Sequence, residues 1–362
     1  MAFTTVNDGS KYFHINLHSG NETNNTDITF NANAGDFQPD FIWFKGRTSS
    51  AIDHALFDSS RGTTKILSTN NTTAENAQGA TLKAFNSNGF RVGDDAGDYG
   101  VNKNGRTYVT WNWKLNGGTT SSNSDGSITS TVQANTTAGF SIVTFSGNTT
   151  AGATVGHGLG VAPKYVQVRR YDRDGDAWRG FWEPLGNEKY MELNATDAVQ
   201  DSTTGAWNDT SPTSSVFSLG SAAGINGGSM IAYCFAPIQG YSDIGSYEGT
   251  GETEGPFVYT GFRPAWLMYR NVDRSENWII VDDKRKTENE VNNTNLQANV
   301  SDAEATETRW GFDFCATGFK VYSDSGQNAN NGNDETIIYM AFERTPLVTS
   351  KGAAGTAGAT LT

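Results

Sequence analysis

Along this chain apolar residues gather in short bursts rich in aromatic and β-branched side chains, and Gly, Asn, Ser or Thr separates one burst from the next. The pattern predicts β-strands joined by tight turns, and no long stretch carries the 3.6-residue period of a helix. Three bursts share one design: Pro39-Asp40-Phe41-Ile42-Trp43-Phe44-Lys45, Pro163-Lys164-Tyr165-Val166-Gln167-Val168-Arg169 and Pro264-Ala265-Trp266-Leu267-Met268-Tyr269-Arg270. Each sets a proline, a spacer, four strand formers and a cation in a row. Ile42 and Phe44 are expected on one strand face, with Val166/Val168 and Leu267/Tyr269 as their counterparts. The opposite face of the first burst holds Phe41, Trp43 and Lys45. Because it too is aromatic, we expect a second sheet or a partner subunit to cover it.

Other landmarks keep step with the prolines. An opening strand ends in a Gly turn at Phe13 to Gly20, Phe140 to Gly147 and Ser242 to Gly249, and a closing strand carries Trp113, Phe235 and Phe342 at matching places. The period is that of a small β-domain, not of a solenoid repeat. The chain therefore divides into a β-sandwich repeat at 3–115, a Ser/Thr/Gly/Asn-rich linker at 116–138, a second repeat at 139–238, a third at 239–346 and a flexible tail at 347–362. Hairpins are expected at Asn88-Gly89 and Thr317-Gly318, the first because Asn and Gly both tolerate positive φ.

Two further echoes concern polar residues. Asp58 with Arg61, and Asp282 with Arg285, predict ion pairs that orient a turn, whereas the second repeat has Trp182 and Leu185 at those places. Asn71-Thr72-Thr73, Asn194-Ala195-Thr196 and Asn299-Val300-Ser301 are glycosylation sequons by form. Their recurrence at one repeat position points instead to side chains that bond local backbone.

Composition sharpens the class. Aromatic residues at 12%, with 41 Gly and 8 Pro, fit an all-β protein of sandwich or jelly-roll type. A net charge of −13 speaks against a grip on nucleic acid, which needs clustered Lys and Arg. No basic-then-apolar leader opens the sequence, and no apolar run approaches a membrane span. Cys234 and Cys315 fall in different repeats and read as buried free thiols.

Candidate chemistry is sparse. No HExxH, GxSxG, P-loop or CxxC pattern occurs. His18 aligns with Phe145 and Tyr247, and His54 with Trp278, so both read as stand-ins for packed aromatics. The sharpest local candidate is Asp172, Asp174 and Asp176 with Glu183, whose spacing imitates a calcium loop. Ala177 stands where such a loop needs glycine, so an acidic turn is the preferred reading and calcium the weaker one. Aromatic rings that stack on sugar C–H faces, beside Asn and Asp, suit glycan binding. The candidates for glycan contact or a subunit interface are Phe41, Trp43, Trp266, Met268, Trp178 and Trp182.

The motifs TTVNDGSKYFHI (4–15), FQPDFIWFK (37–45), DGSITSTVQANTTAGFSIVTFSG (125–147), VGHGLGVAPK (155–164) and GPFVYTGFRPAWLMYR (255–270) together resemble a family of tailed-bacteriophage structural proteins, tail-fibre-like and common in marine and cyanobacterial phages. The resemblance implies tandem jelly-roll or lectin-like sandwich repeats, of laminin-G or concanavalin type, in a protein assembled in the host cytoplasm and carried on the virion exterior. It transfers no catalytic residue. With no coiled-coil or collagen-like shaft, the chain reads as a compact tip or adaptor, or as a decoration of another surface. The expected function is a tail-associated, non-catalytic role in recognising host-surface glycans. Its expected partners are other virion proteins and, by analogy with fibres, two further copies in a homotrimer. A head decoration or head-fibre protein is the first alternative, and a polysaccharide depolymerase, which needs paired carboxylates, is the second.

Overall fold

The computed structural model describes residues 4–30, 36–49, 51–202, 205–286, 293–307, 310–323 and 329–345. Within them the chain is almost wholly antiparallel β, as the two-residue period predicts, and its one α-helix is the single turn Ala223–Asn226. Each repeat pairs a large inner sheet with a small outer one. In the first repeat the inner order is Phe13–Ser19, Thr107–Trp113, Phe41–Gly46, Ala55–Asp58, and the outer order is Thr26–Thr29, Gly89–Val92, Leu82–Asn86.

The other repeats follow the same plan. The third places Ser242–Glu248, Thr336–Phe342, Trp266–Asn271 and Ile279–Asp282 in its inner sheet, and Glu254–Tyr259, Gly318–Ser323 and Trp310–Cys315 in its outer one. The second has Phe140–Asn148, Gly227–Phe235, Tyr165–Arg170 and Arg179–Trp182 inside, with Ala153–Gly156 and Val216–Leu219 outside. In all three the closing strand inserts between the opening and post-proline strands. The hairpins form where expected: Asn86 pairs with Gly89, whose φ of 115° favours glycine, and Cys315 pairs with Gly318.

One expected boundary is corrected. The stretch 116–138 is not a free linker, because Ser121–Asn123 and Ser130–Asn135 extend the inner sheet of the second repeat, with Val132 opposite Val143. Backbone groups alone build a ladder, so a Ser/Thr-rich segment can pair with few buried apolar anchors, Ile128, Val132 and Ala138. The tail at 347–362 lies outside the described residues.

The post-proline strands are buried on both faces, and the two faces meet different bodies. Ile42 and Phe44 pack with Phe90 and Val92, Val166 and Val168 with Phe217, and Leu267 and Tyr269 with Phe319 and Val321, giving each repeat its own sandwich core. Phe41, Trp43, Tyr165, Trp266 and Met268 point into a fourth core that all three repeats share. At its centre Trp113, Phe235 and Phe342 meet, with ring centroids 6.4, 5.6 and 5.9 Å apart. Equivalent residues at near-equal mutual spacing define a threefold relation, so the chain closes as a pseudo-threefold ring about an aromatic axis. The aromatic face is thus covered neither by a second sheet of its own repeat nor by another subunit, but by the other two repeats.

Candidate functional site

The polar residues that sequence analysis singled out converge on three seams between repeats, and the same positions build each seam. The cation that ends a post-proline burst crosses to a neighbouring loop: Arg169 Nη1 donates to the Asn71 carbonyl at 2.7 Å, and Arg270 Nη1 to the Ala195 carbonyl at 2.8 Å. Two residues further on, a backbone carbonyl accepts from that loop. Glu75 N donates to Tyr171 O, Val199 N to Val272 O and Glu304 N to Arg47 O, each at 2.8 Å. The residue before the next strand also crosses: Trp178 Nε1 donates to Ser68 O at 2.7 Å and Trp278 Nε1 to Glu192 O at 2.9 Å, while His54 Nε2 lies 2.9 Å from Gln297 O. The second repeat thus docks on the first, the third on the second and the first on the third. This is a head-to-tail contact whose rotation closes.

The seams depart from symmetry in ways that chemistry explains. Arg169 and Arg270 lie over the rings of Trp178 and Trp278, each 5.2 Å from the centroid. In the first repeat Lys45 and His54 replace that pair. Trp43 Nε1 donates to His54 Nδ1 at 2.7 Å, so the neutral ring carries its proton on Nε2 and donates it to Gln297. Burial, aided by Lys45, holds His54 well below the usual histidine range, and burial pushes Lys45 down to about 8. Lys45 Nζ donates to its own repeat's Ile52 carbonyl at 2.6 Å, and Arg47 makes the crossing instead, with two hydrogen bonds to Glu304 at 2.9 and 2.8 Å.

The predicted Asp–Arg pairs are present and buried, Asp58–Arg61 and Asp282–Arg285 both at 2.6 Å. Each carboxylate also accepts from the next repeat: Asp58 from the Tyr233 hydroxyl at 3.0 Å, and Asp282 from Trp111 Nε1 at 3.1 Å. The third repeat has Met340 at the place of Tyr233 and Trp111, and methionine offers no donor. A carboxylate in the second repeat would lack that partner. Trp182 stands there and stacks on Trp278 with centroids 5.4 Å apart.

The recurring asparagines bond local backbone. Asn194 Oδ1 accepts from Trp178 N at 2.7 Å and Asn299 Oδ1 from Trp278 N at 2.9 Å. In the first repeat the equivalent is Asn70, which accepts from His54 N at 2.9 Å, one residue ahead of the sequon at Asn71.

The candidate binding residues are placed as follows. Phe41, Trp43, Trp266 and Met268 line, with Trp113 and Tyr165, a void of about 30 Å³ on the axis. It has room for a water molecule and not for a sugar. Trp178 and Trp182 belong to the seams. All six are interface residues, but the interface lies within the chain, and all nine tryptophans are buried. The tryptophan platform expected for glycans is therefore absent from the described surface, because seven of the nine rings lie in the core that the repeats share and Trp207 and Trp310 lie in the cores of single repeats.

The acidic loop at 172–176 is held by its own arginines and by the first repeat. Asp172 pairs with Arg170 and accepts from Ser229 N at 3.0 Å, and Asp176 pairs with Arg173 at 2.6 Å. Asp174 accepts from Ala74 N at 2.6 Å while Gly175 N donates to Thr72 O, so the loop clamps the second repeat to the first. Glu183 faces Lys164 at 3.5 Å. No group of three or more potential metal ligands occurs among the described residues. His14 and His18 are held near 4, chiefly by burial, and His157 is lowered for the same reason. Cys234, buried, and Cys315, half-buried, are free thiols. Tyr233, Trp111, Glu75 and Glu304 are seam residues that no local pattern marks. The available signal was that an acid at the end of one strand occurs only when another repeat's closing strand carries a donor.

Fold and seams define a class: an all-β chain in which three tandem sandwich repeats do within one polypeptide what three subunits do in a trimer. The chain belongs to the family of the DUF7483 domain of unknown function, whose model matches residues 8–346. No curated protein and no solved structure matches it.

Proposed function

We propose that this protein is a non-catalytic structural component on the exterior of a tailed-bacteriophage virion, associated with the tail and in contact with the host surface. The resemblance carried by the motifs at 4–15, 37–45, 125–147, 155–164 and 255–270 supports the phage assignment. The observation that carries the structural role is the closed pseudo-threefold ring. It uses large aromatics of all three repeats, together with Arg169, Arg270 and Arg47, in joining the repeats to one another. A ring of this kind occupies a threefold position as a single chain, in a tail tip or on a shell. The buried, neutral histidines and the arginine-bound acidic loop support a role without chemistry.

A second reading, decoration of the head, is favoured by one observation: no tryptophan is exposed to stack on a sugar, so assembly needs less of the surface than glycan recognition does. Gold-tagged antibody against the recombinant chain, applied to intact particles and viewed by electron microscopy, tests both. Gold at the tail is the expected result, gold over the head supports decoration, and unlabelled particles overturn the virion assignment.

A further inference from the structure

The outer sheets are where the three repeats stop being equivalent. In the second repeat the outer edge strand Ala153–Gly156 is covered by a segment that follows the first repeat's closing strand. Ile128 bridges Val155 in parallel and its N–H donates to Thr154 O at 2.9 Å. Thr154 N donates to Ser127 Oγ at 2.9 Å, and Ser130 Oγ donates to Gly156 O at 2.8 Å. This edge therefore accepts an added extended segment, here Ser127-Ile128-Thr129-Ser130.

The matching strand of the third repeat is Glu254–Tyr259. Val155 faces Phe217, and Val258 faces Phe319, which aligns Phe257 with Thr154 and Tyr259 with Gly156. The strand ends its sheet, and no described segment pairs with its outer edge. The N–H and C=O of one strand residue point to the same side. The outward groups of Phe257 and Tyr259 are thus the equivalents of those that Ile128, Ser127 and Ser130 occupy in the second repeat.

The same two residues carry exposed aromatic side chains, 49% and 68% accessible. The fold does not demand them there. The first repeat has Asp27 and Thr29 at these places, with Asp27 paired to Arg91 at 2.7 Å. An uncovered edge flanked by exposed aromatics is a liability that proteins ordinarily blunt with charge, as the first repeat does, or cover, as the second does.

We propose that the outer edge of Glu254–Tyr259 is a docking site for an extended segment of a partner polypeptide, added as a further strand. The recognised chemistry follows from the second repeat. Hydroxyl side chains reach the edge N–H and C=O groups, one β-branched aliphatic residue lies beside Val258, and the rings of Phe257 and Tyr259 flank the added backbone.

The probe is a fluorescein-labelled peptide with the sequence of residues 124–132, SDGSITSTV. It is titrated into the full chain by fluorescence anisotropy, with hydrogen exchange read at the Phe257 and Tyr259 amides. We expect saturable binding and slower exchange at those two amides. Tyr259→Pro, which removes an outward N–H and leaves the ladder intact, should weaken binding about tenfold or more. Phe257→Lys should do the same by charging the edge. Circular dichroism establishes that both variants are folded. Failure of the peptide to saturate, binding that both variants retain, or amides already protected in the free protein would each overturn the proposal.

Discussion

Replacing Asp58 with Ala tests whether the seam between the first and second repeats is held as its geometry indicates. The carboxylate is inaccessible to solvent and holds both Arg61 at 2.6 Å and the Tyr233 hydroxyl at 3.0 Å. Its removal leaves a guanidinium only 4% exposed with a single carboxylate, Glu75 at 3.0 Å, which Lys65 also holds at 3.1 Å. Breaking a buried pair by deleting one partner costs about 3–5 kcal/mol, and an orphaned buried hydroxyl about 1–3 kcal/mol. Glu75 offsets part of this, so we expect a net loss of about 3–5 kcal/mol. The chain itself suggests the rescue, because the second repeat has Leu185 where the first has Arg61. Asp58→Ala combined with Arg61→Leu removes the stranded charge and should lose about 2 kcal/mol less than Asp58→Ala alone. Urea unfolding, followed by tryptophan fluorescence and circular dichroism, measures both. A loss under about 1 kcal/mol for the single variant, or a greater loss for the double variant, would show that the pair does not hold the seam.

Three further outcomes are expected. Lys45 titrates near 8 when folded and near its ordinary 10.5 when unfolded, so between those values the unfolded chain binds more protons and stability rises with pH, by up to about 3 kcal/mol. Urea midpoints from pH 7 to 10 should show that rise in the wild type and not in Lys45→Met; equal slopes would contradict it. Asn194→Ala strands the Trp178 N–H and should cost about 1–3 kcal/mol, whereas Asn71→Ala, which loses only solvent-exposed hydrogen bonds to Thr73 N and Asp53, should cost less; the same denaturation assay separates them. With all nine tryptophans buried, iodide should barely quench native fluorescence and should quench strongly after unfolding; strong native quenching would contradict the shared core.

The strands and the repeat were legible because strand faces impose a period of two and the three proline-led bursts impose a longer one. The pairing of Ile42 with Phe44, against Phe41 with Trp43, followed directly. What covers the second face did not, since a period says that a face is apolar and not what meets it. Phe41, Trp43, Trp266 and Met268 therefore pointed as well to a second chain as to another part of the same one. The residues that decide the matter act in pairs, Asp58 with Tyr233 and Asp282 with Trp111, and each partner lies in another repeat, beyond the reach of local pattern. The segment 116–138 misled because backbone pairing leaves little mark on composition. Asp172 and Asp176 take Arg170 and Arg173 as partners, which a spacing of acids alone does not reveal.

A homotrimer must use one residue type at all three equivalent seams, and a single chain need not. Here the seams have diverged in compensated ways: carboxylate with phenol, carboxylate with indole, indole stacked on indole, and Arg–Trp beside Lys–His. The backbone contacts from Tyr171, Val272 and Arg47 have nonetheless stayed the same, each at 2.8 Å. Backbone symmetry is kept where the repeats meet one another, whereas the three outer edges differ outright, being respectively charged, covered and aromatic. Packing demands explain the inner likeness, because each seam must close the same ring. They give no reason for Phe257 and Tyr259 to differ from Asp27 and Thr29 at positions that touch no other repeat. A fold that buries every tryptophan and leaves those two rings exposed on an open edge gives the proposed docking site its place on the outside of the third repeat.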